Sequence, residues 1–262
     1  MIPLTNTVKH LIIINVIMFV GALSIGFQGD VFNNLFALYF PANDAFKPWQ
    51  LITHMFMHAN YVPTPDGGTT IYFAHILFNM FGLWMFGGEV ERIFGRKKFI
   101  FFYISAGLGA ALLQLGYYYL NYLPSQSFLI ESGIPKDEII QMISSNNVSR
   151  NITETQMSEL QNMFNYFHSS MVGASGALMG ILVAFGMLFP DRHLMLIFLP
   201  IPIKAKYFIP GIIGLDLISA ITGASFFSPS NTAYVAHVGG ALTGFLMMYF
   251  WKKNQFDKYR WN

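Results

Sequence analysis

Apolar residues in this chain gather into six runs, separated by segments that are polar, turn-rich or aromatic. The runs extend roughly from Leu11 to Phe27, Tyr72 to Val90, Phe99 to Leu120, Met171 to Phe189, Tyr207 to Thr222 and Ala233 to Trp251, the fifth being the shortest. A stretch of about 20 apolar residues is what a helix needs to cross the hydrocarbon core. In lipid the backbone must also satisfy its own N–H and C=O groups, so the runs predict helices rather than strands or loops. The expected fold is therefore an all-α integral membrane protein, a six-transmembrane-helix bundle. Residues 1–262 are expected to form a single membrane domain, with a long polar outer loop, 121–170, inserted between spans three and four.

Composition supports this reading: 54% of residues are hydrophobic and only 11% are charged, against roughly a quarter charged in soluble domains. Lys9 ahead of the first run and Ala22-Leu23-Ser24 near its end resemble a cleaved leader, but the run is read as a retained span. Basic residues decide the orientation, because they collect on the cytoplasmic side of short loops. Taking alternate segments, twelve Lys and Arg fall on the side of Lys9, Arg92, Arg192 and Lys252, and three on the side of Lys47, Lys136 and Arg150. Both termini are thus expected in the cytoplasm, with a cell membrane, plasma or inner, as the location. The net charge of +2 is spread over separate cytoplasmic segments and forms no patch suited to nucleic acid. With no cysteine in the chain, disulfides, thiolate metal sites and a cysteine nucleophile are excluded.

Polar side chains inside membrane spans are costly, and those retained usually have a function. In this topology Ser175, His75 and His237 each lie three to four residues past the outer boundary of a different span, a depth of about 5 to 6 Å at the helical rise. Asn79 is one turn deeper than His75 on the same face. Each has a plainer reading. A membrane serine commonly bonds back to its own helix. Gly173 with Ala177, Gly176 with Gly180, and Gly239, Gly240 and Gly244 after His237 make small-residue packing seams. His75 and Asn79 also suit interhelical hydrogen bonding. The shared depth of all three sites favours chemistry.

A serine hydroxyl needs a base within hydrogen-bond reach, and His237 is the candidate. Asp216 is the acidic residue within an apolar run, near the middle of the fifth span. It is read as structural, held by a hydrogen-bond partner in the bundle, so that the expectation is a Ser-His dyad without an acid. The oxyanion formed by attack on an amide needs donors. The helix start around Ser175 offers backbone N–H groups and a favourable dipole, and His75 and Asn79 offer side chains.

His75-Ile76-Leu77-Phe78-Asn79, Gly173-Ala174-Ser175-Gly176, and Ala236-His237 followed by Gly240 and Gly244, in that order across six spans, resemble the motifs of rhomboid intramembrane serine proteases. Gly87-Gly88-Glu89-Val90-Glu91-Arg92 adds a further similar stretch, and the resemblance runs from about Trp49 to Tyr249. It implies a rhomboid-like six-helix bundle in which Ser175 is the nucleophile and His237 the general base and acid. It further implies that His75, Asn79 and the backbone of Ala174 and Ser175 stabilise the oxyanion, without a metal or cofactor. Two positions depart from the pattern. Many rhomboids have an aromatic residue four after the serine, where this chain has Met179, and many have Trp-Arg in the first outer loop, where it has Trp49-Gln50. A thioether contact from Met179 is the expected substitute for orienting His237.

The first outer loop carries Phe32, Phe36, Tyr39, Phe40, Phe46 and Trp49, which suits a membrane interface. The resemblance implies an embedded hairpin there beside the active site. His54 and His58 precede an apparent insertion, Tyr61 to Phe73. Their spacing suggests a metal, but the Glu of the HExxH motif is missing, and packing or loop anchoring is the favoured reading. In the second outer loop Thr153-Glu154-Thr155-Gln156 reads as a capping box. Met157, Leu160, Met163, Phe164 and Phe167 then line one helix face, either covering the active-site mouth or resting on lipid headgroups. The uncharged segment from Gly223 to Thr232 is free to move, and with the fifth span it corresponds to the lateral gate the resemblance implies.

The expected function is an intramembrane serine endopeptidase acting on transmembrane or membrane-proximal segments, with membrane proteins and lipid as partners and no nucleic acid. The alternative is a catalytically inactive rhomboid-like protein that binds or guides membrane clients. A transporter using His75, Asn79 and Asp216 as a relay ranks below both, because inverted repeats are lacking.

Overall fold

A computed structural model describes residues 4–196, 199–224 and 233–258, and the chain is mostly helical. Helix α1 (Asn6–Ser24) begins where Glu91 accepts hydrogen bonds from the Thr5 hydroxyl and from the N–H groups of Thr7 and Val8. The first N–H groups of a helix have no partner within it, so a carboxylate distant in sequence caps this one and ties α1 to the helix that carries Glu91. A long loop follows. It comprises α2 (Asp30–Phe36), the short strand β1 (Leu38–Tyr39), α3 (Gln50–Thr53) and a 3₁₀ turn over His54–Phe56.

The segment after His58 forms an antiparallel hairpin, β2 (Tyr61–Pro63) with β3 (Thr69–Ile71), which turns at Gly67 with φ of 82°. Helix α4 (Phe73–Gly82) then runs through a π-helical stretch, Leu83–Gly87, into α5 (Gly88–Phe94). Gly95, with φ of 74°, breaks the helix before α6 (Arg96–Glu131).

The sequence pattern ended the third span at Leu120, yet α6 continues without a break through Pro124 to Glu131. A buried stripe, Tyr118, Tyr122, Ser125 and Leu129, explains the continuation, since its spacing keeps one face turned toward the protein. Helices α7 (Lys136–Ser145) and α8 (Glu154–Phe167) pack on this extension. The capping box is present: Thr153 Oγ1 accepts from Gln156 N–H, and Thr153 N–H donates to Gln156 Oε1 at 2.9 Å. Leu160, Met163 and Phe167 of α8 are buried against Tyr122, Leu129, Ile139 and Met142. The apolar face of α8 is therefore covered by protein; Met157, at the edge of that face, is exposed. Strand β4 (Ser170–Met171) pairs with β1 and so joins the segment after α1 to the segment before Ser175.

Helix α9 (Ser175–Leu188) has 14 residues, nine of them buried. At 1.5 Å per residue it is about 21 Å long, short of the roughly 30 Å hydrocarbon core, and α6 and the final helix enclose it. Strands β5 (His193–Leu196) and β6 (Leu199–Lys204) form a hairpin leading into α10 (Ala205–Thr222), and α11 (Tyr234–Lys258) closes the bundle. By length and composition, α1, α6 and α10 are long and apolar enough to cross a membrane among the described residues, and α9 is a shorter apolar helix. Most of the segment expected to move, Gly223 to Thr232, lies outside the described residues.

Candidate active site

Two features of the chain before Ser175 bring it to a helix start. The apolar run predicted a helix from Met171, but Ser170–Met171 is extended, and Gly173 adopts φ of 129°, a backbone conformation that disfavours any side chain. The Gly173 N–H donates to the carbonyl of His54 at 2.9 Å, which pins this turn to the loop between α1 and α4. The helix starts at Ser175, with the buried Ala174 as its N-cap, so Ser175 sits among the unpaired N–H groups of the first turn.

His237 arrives from α11 through contacts that only glycine allows. A side-chain carbon on Gly240 would collide with the Gly176 carbonyl, and one on Gly244 would sit 2.6 Å from Gly180 Cα. The two backbones therefore touch, and the glycines are packing residues as the sequence suggested. Ser175 precedes Gly176 by one residue and His237 precedes Gly240 by three, so the crossing sets the two side chains face to face. Ser175 Oγ lies 2.9 Å from His237 Nε2. The Ala236 N–H, one of the unpaired donors at the start of α11, donates to the Gln114 side chain of α6 at 3.0 Å and steadies the turn that carries His237.

On its other side His237 meets a group the sequence reading had set aside. His237 Nδ1 lies 2.9 Å from Asp216 Oδ2, so the expectation that no acid is within reach is corrected. Counted from the C-terminal end of α10 at Thr222, Asp216 is six residues in, about 9 Å, within one turn of the level at which the sequence set His237. The same depth count applied to the fifth span would have exposed it. Beside a carboxylate, Nδ1 carries the imidazole proton, which leaves the Nε2 lone pair to accept from the Ser175 hydroxyl. The Tyr234 ring stands edge-on to the imidazole at 6.5 Å. Met179, expected to orient His237, belongs to the hydrophobic core.

His75 stands on the opposite side of Ser175. Its Nδ1 accepts the Ala59 N–H at 3.0 Å, so in the neutral ring the proton is on Nε2, which can then donate. A side-chain carbon built on Gly173 would lie 3.0 Å from His75 Nε2 and 3.5 Å from Ser175 Oγ. The bare Cα of Gly173 thus borders a space shared by the imidazole and the hydroxyl. Asn79, one turn further along α4, is buried; its Nδ2 donates to the His75 carbonyl at 2.8 Å, while its Oδ1 has no hydrogen-bond partner among the described residues. One amide hydrogen is engaged by its own helix.

The other flagged residues have structural partners. His54 Nδ1 pairs with the Gln50 carbonyl at 2.8 Å, and His58 Nε2 with Asn15 Oδ1 of α1 at 2.8 Å. Among the described residues no three His, Asp or Glu side chains gather as metal donors. Gln50, where an arginine was expected, is fully buried. Its Oε1 accepts from Tyr39 and Lys47 N–H, and its Nε2 donates to the Asn34 and Ala45 carbonyls. An arginine, which has no acceptor, cannot reproduce the first two bonds.

Fold and site together define a helical membrane protein with a serine and an imidazole paired at the start of a buried helix. The Rhomboid domain family profile matches residues 45–134 and 138–254, well over half of the chain. The chain belongs to the rhomboid family. It is similar to the rhomboid protease GlpG of Haemophilus influenzae, 27% identical over 115 residues that cover 43% of this chain and 49% of that protein. It is also similar to the rhomboid protease AarA of Providencia stuartii, 25% identical over 202 residues, 76% of this chain and 54% of AarA. The human mitochondrial presenilin-associated rhomboid-like protein is 26% identical over 171 residues, 65% of this chain and 32% of that one. The chain thus spans about half, or less, of the length of these curated relatives.

Proposed function

We propose that this chain is an intramembrane serine endopeptidase that cleaves transmembrane or membrane-proximal segments of membrane proteins. The observation that carries the reading is the 2.9 Å contact between Ser175 Oγ and His237 Nε2 at the start of α9. As Ser175 Oγ bonds to the scissile carbonyl carbon, its proton passes to His237 Nε2 and the carbonyl π pair moves onto oxygen. The resulting oxyanion is held by the first-turn N–H groups around Ala174 and Ser175 and by His75 Nε2–H, with the second Asn79 amide hydrogen as a further donor. Each such donor is typically worth about 2.7 to 4 kcal/mol of barrier. Collapse breaks the C–N bond, the leaving nitrogen takes the proton from His237 Nε2–H, and water then hydrolyses the acyl-enzyme by the same steps.

The membrane arrangement that suits this chemistry is one domain of six spans with both termini cytoplasmic, in a plasma or inner membrane, and with the first outer loop in the interface. The short α9 starts below the outer surface, so water reaches Ser175 from outside while the substrate approaches laterally past α10. A substrate helix hides its amides in its own hydrogen bonds, so residues that weaken helices near the cleavage site favour attack.

In protein reconstituted into liposomes, Ser175→Ala and His237→Ala are each expected to abolish cleavage of a transmembrane test substrate with thermal stability retained. A fluorophosphonate should label Ser175 in the wild type alone. Persistent cleavage in either variant rejects the Ser-His pair. A folded wild type that binds membrane clients but neither labels nor cleaves supports the client-guiding alternative.

A further inference from the structure

The geometry points to Asp216 as a positioning residue that completes a Ser175–His237–Asp216 relay, with its carboxylate fixing the His237 tautomer and stabilising the imidazolium formed during acyl transfer. This rests on the protease reading above and adds a third member to its dyad.

The position of Asp216 is the first argument. It lies in α10 among Ile212, Ile213, Gly214, Leu215, Leu217 and Ile218, with 8% of its surface exposed. A carboxylate in such surroundings is costly unless it is paired. Among the described residues its ion-pair partner is His237.

The direction of the contact is the second argument. The carboxylate meets Nδ1 at 2.9 Å while the serine meets Nε2 at 2.9 Å, so the two ring nitrogens are divided between acid and nucleophile. His237 Nδ1–H donates to Asp216 Oδ2, and Ser175 Oγ–H donates to His237 Nε2. When the Ser175 proton moves to Nε2, a neutral imidazole beside a carboxylate becomes an imidazolium–carboxylate pair. Charge is thus created next to its counter-charge rather than alone in a medium of low polarity. The proton on Nδ1 stays there throughout; the proton exchanged with substrate is the one on Nε2.

The surroundings of His237 supply the third argument. Among the described residues, the other titratable groups facing it are His75 from α4 and Tyr234 from its own helix, and neither is a carboxylic acid. Met179 occupies the position where an aromatic ring could otherwise have stacked on the imidazole. Asp216 therefore both orients the ring and supplies the negative charge.

A purely structural Asp216, joining α10 to α11, predicts something different. Asn fits the same volume and can accept from Nδ1–H, so structural bonding survives Asp216→Asn, whereas the charge and the enforced tautomer do not. The experiment compares wild type, Asp216→Asn and Asp216→Glu, purified in detergent and checked for thermal midpoint. It measures kcat and KM for a transmembrane substrate, the rate of fluorophosphonate labelling, and ¹⁵N NMR of histidine-labelled protein with the His237 signal identified by its loss in His237→Gln. The expected result is a kcat and labelling rate at least about tenfold lower in Asp216→Asn, with KM within twofold, and partial recovery in Asp216→Glu; soluble Ser-His-Asp enzymes lose up to about 10⁴-fold on the equivalent change. In wild type, His237 should show the Nδ1–H tautomer, a readout that stands even if a variant fails to fold. Activity within twofold of wild type in a folded Asp216→Asn, or an Nε2–H tautomer in wild type, overturns the relay and leaves the protease reading intact. A wild type that neither labels nor cleaves overturns the protease reading and the relay with it.

Discussion

Replacing Gly240 by alanine tests whether the crossing of α9 and α11 sets the catalytic geometry. The added carbon would collide with the Gly176 carbonyl oxygen and approach its carbon to 2.7 Å, where ordinary contact begins at 3.4 Å. These are backbone atoms, so no side-chain rotation relieves the clash and the helices must part. At Gly244 the same substitution requires about 0.8 Å to bring the 2.6 Å approach to Gly180 Cα up to ordinary contact, and at Gly240 it requires more. Ser175 and His237 flank this contact, so a separation of about 1 Å stretches their 2.9 Å hydrogen bond past the range in which it forms. Misplacement of that size costs about 100-fold in rate, and overpacking costs about 1 to 3 kcal/mol in stability. The assay is the fluorophosphonate labelling rate alongside the thermal midpoint in detergent, with Gly116→Ala as control, because a carbon there meets nothing within 4 Å. Gly240→Ala should label at least about 100-fold more slowly and melt earlier, while Gly116→Ala matches wild type. Labelling of Gly240→Ala at the wild-type rate would refute the claim that this crossing places the nucleophile against its base.

Gly173→Ala puts a carbon at a positive φ between His75 Nε2 and Ser175 Oγ; cleavage should be lost with the fold intact, and undiminished cleavage would show that the space is not used. Gln50→Ala removes the acceptor for two part-buried backbone N–H groups and should destabilise by about 1 to 3 kcal/mol. Gln50→Arg should not rescue it, and an arginine variant as stable as wild type would contradict the bonding described. Thr153→Ala removes the α8 capping box; about 1 kcal/mol is expected, read as faster hydrogen exchange in the first turn of α8. His54, outside the apolar spans, is held neutral by burial, its pKa lowered to about 4 despite hydrogen bonds to the Gln50 and Leu51 backbone. The unfolded chain takes up this proton near pH 6.5 and the folded chain only near pH 4. Stability from this group is therefore complete above pH 6.5 and falls as pH drops toward 4, by up to about 3 kcal/mol. The thermal midpoint should drop less between pH 7 and pH 5 in His54→Gln than in wild type, and equal slopes would contradict the assignment.

What could be read from the sequence, and what could not, divides along physical lines. Unbroken apolar runs locate helices well, because lipid leaves the backbone no other partner, so α10 matches its expected bounds to within two residues, while polar residues at the ends let α1 begin at Asn6 rather than Leu11 and α11 run past Trp251 to Lys258. Local side-chain chemistry was also legible: the Thr153–Gln156 box depends only on a three-residue spacing. Hydrophobicity alone failed at the start of α9, since Met171 and Val172 are as apolar as any helical residue. The extended β1–β4 pairing and the positive φ of Gly173 decide that boundary, and both depend on the loop between α1 and α4. The continuation of α6 past Leu120 was obscured in a similar way, because Asn121, Ser125 and Gln126 read as loop, while the face that Ser125 shares with Tyr118, Tyr122 and Leu129 is buried by α7 and α8. Gln50 registered as a missing arginine, although its meaning lies in four backbone groups gathered from Asn34 to Lys47. Asp216 is the most instructive case. Its depth could be counted from the sequence, and the same count brought Ser175, His75 and His237 to one level. Depth says which residues can meet, whereas the face a helix presents depends on its neighbours, and only the packing of α10 against α11 turns that carboxylate toward Nδ1 rather than toward lipid. A polar residue in a span is therefore best treated as a candidate for every site within one helical turn of its depth.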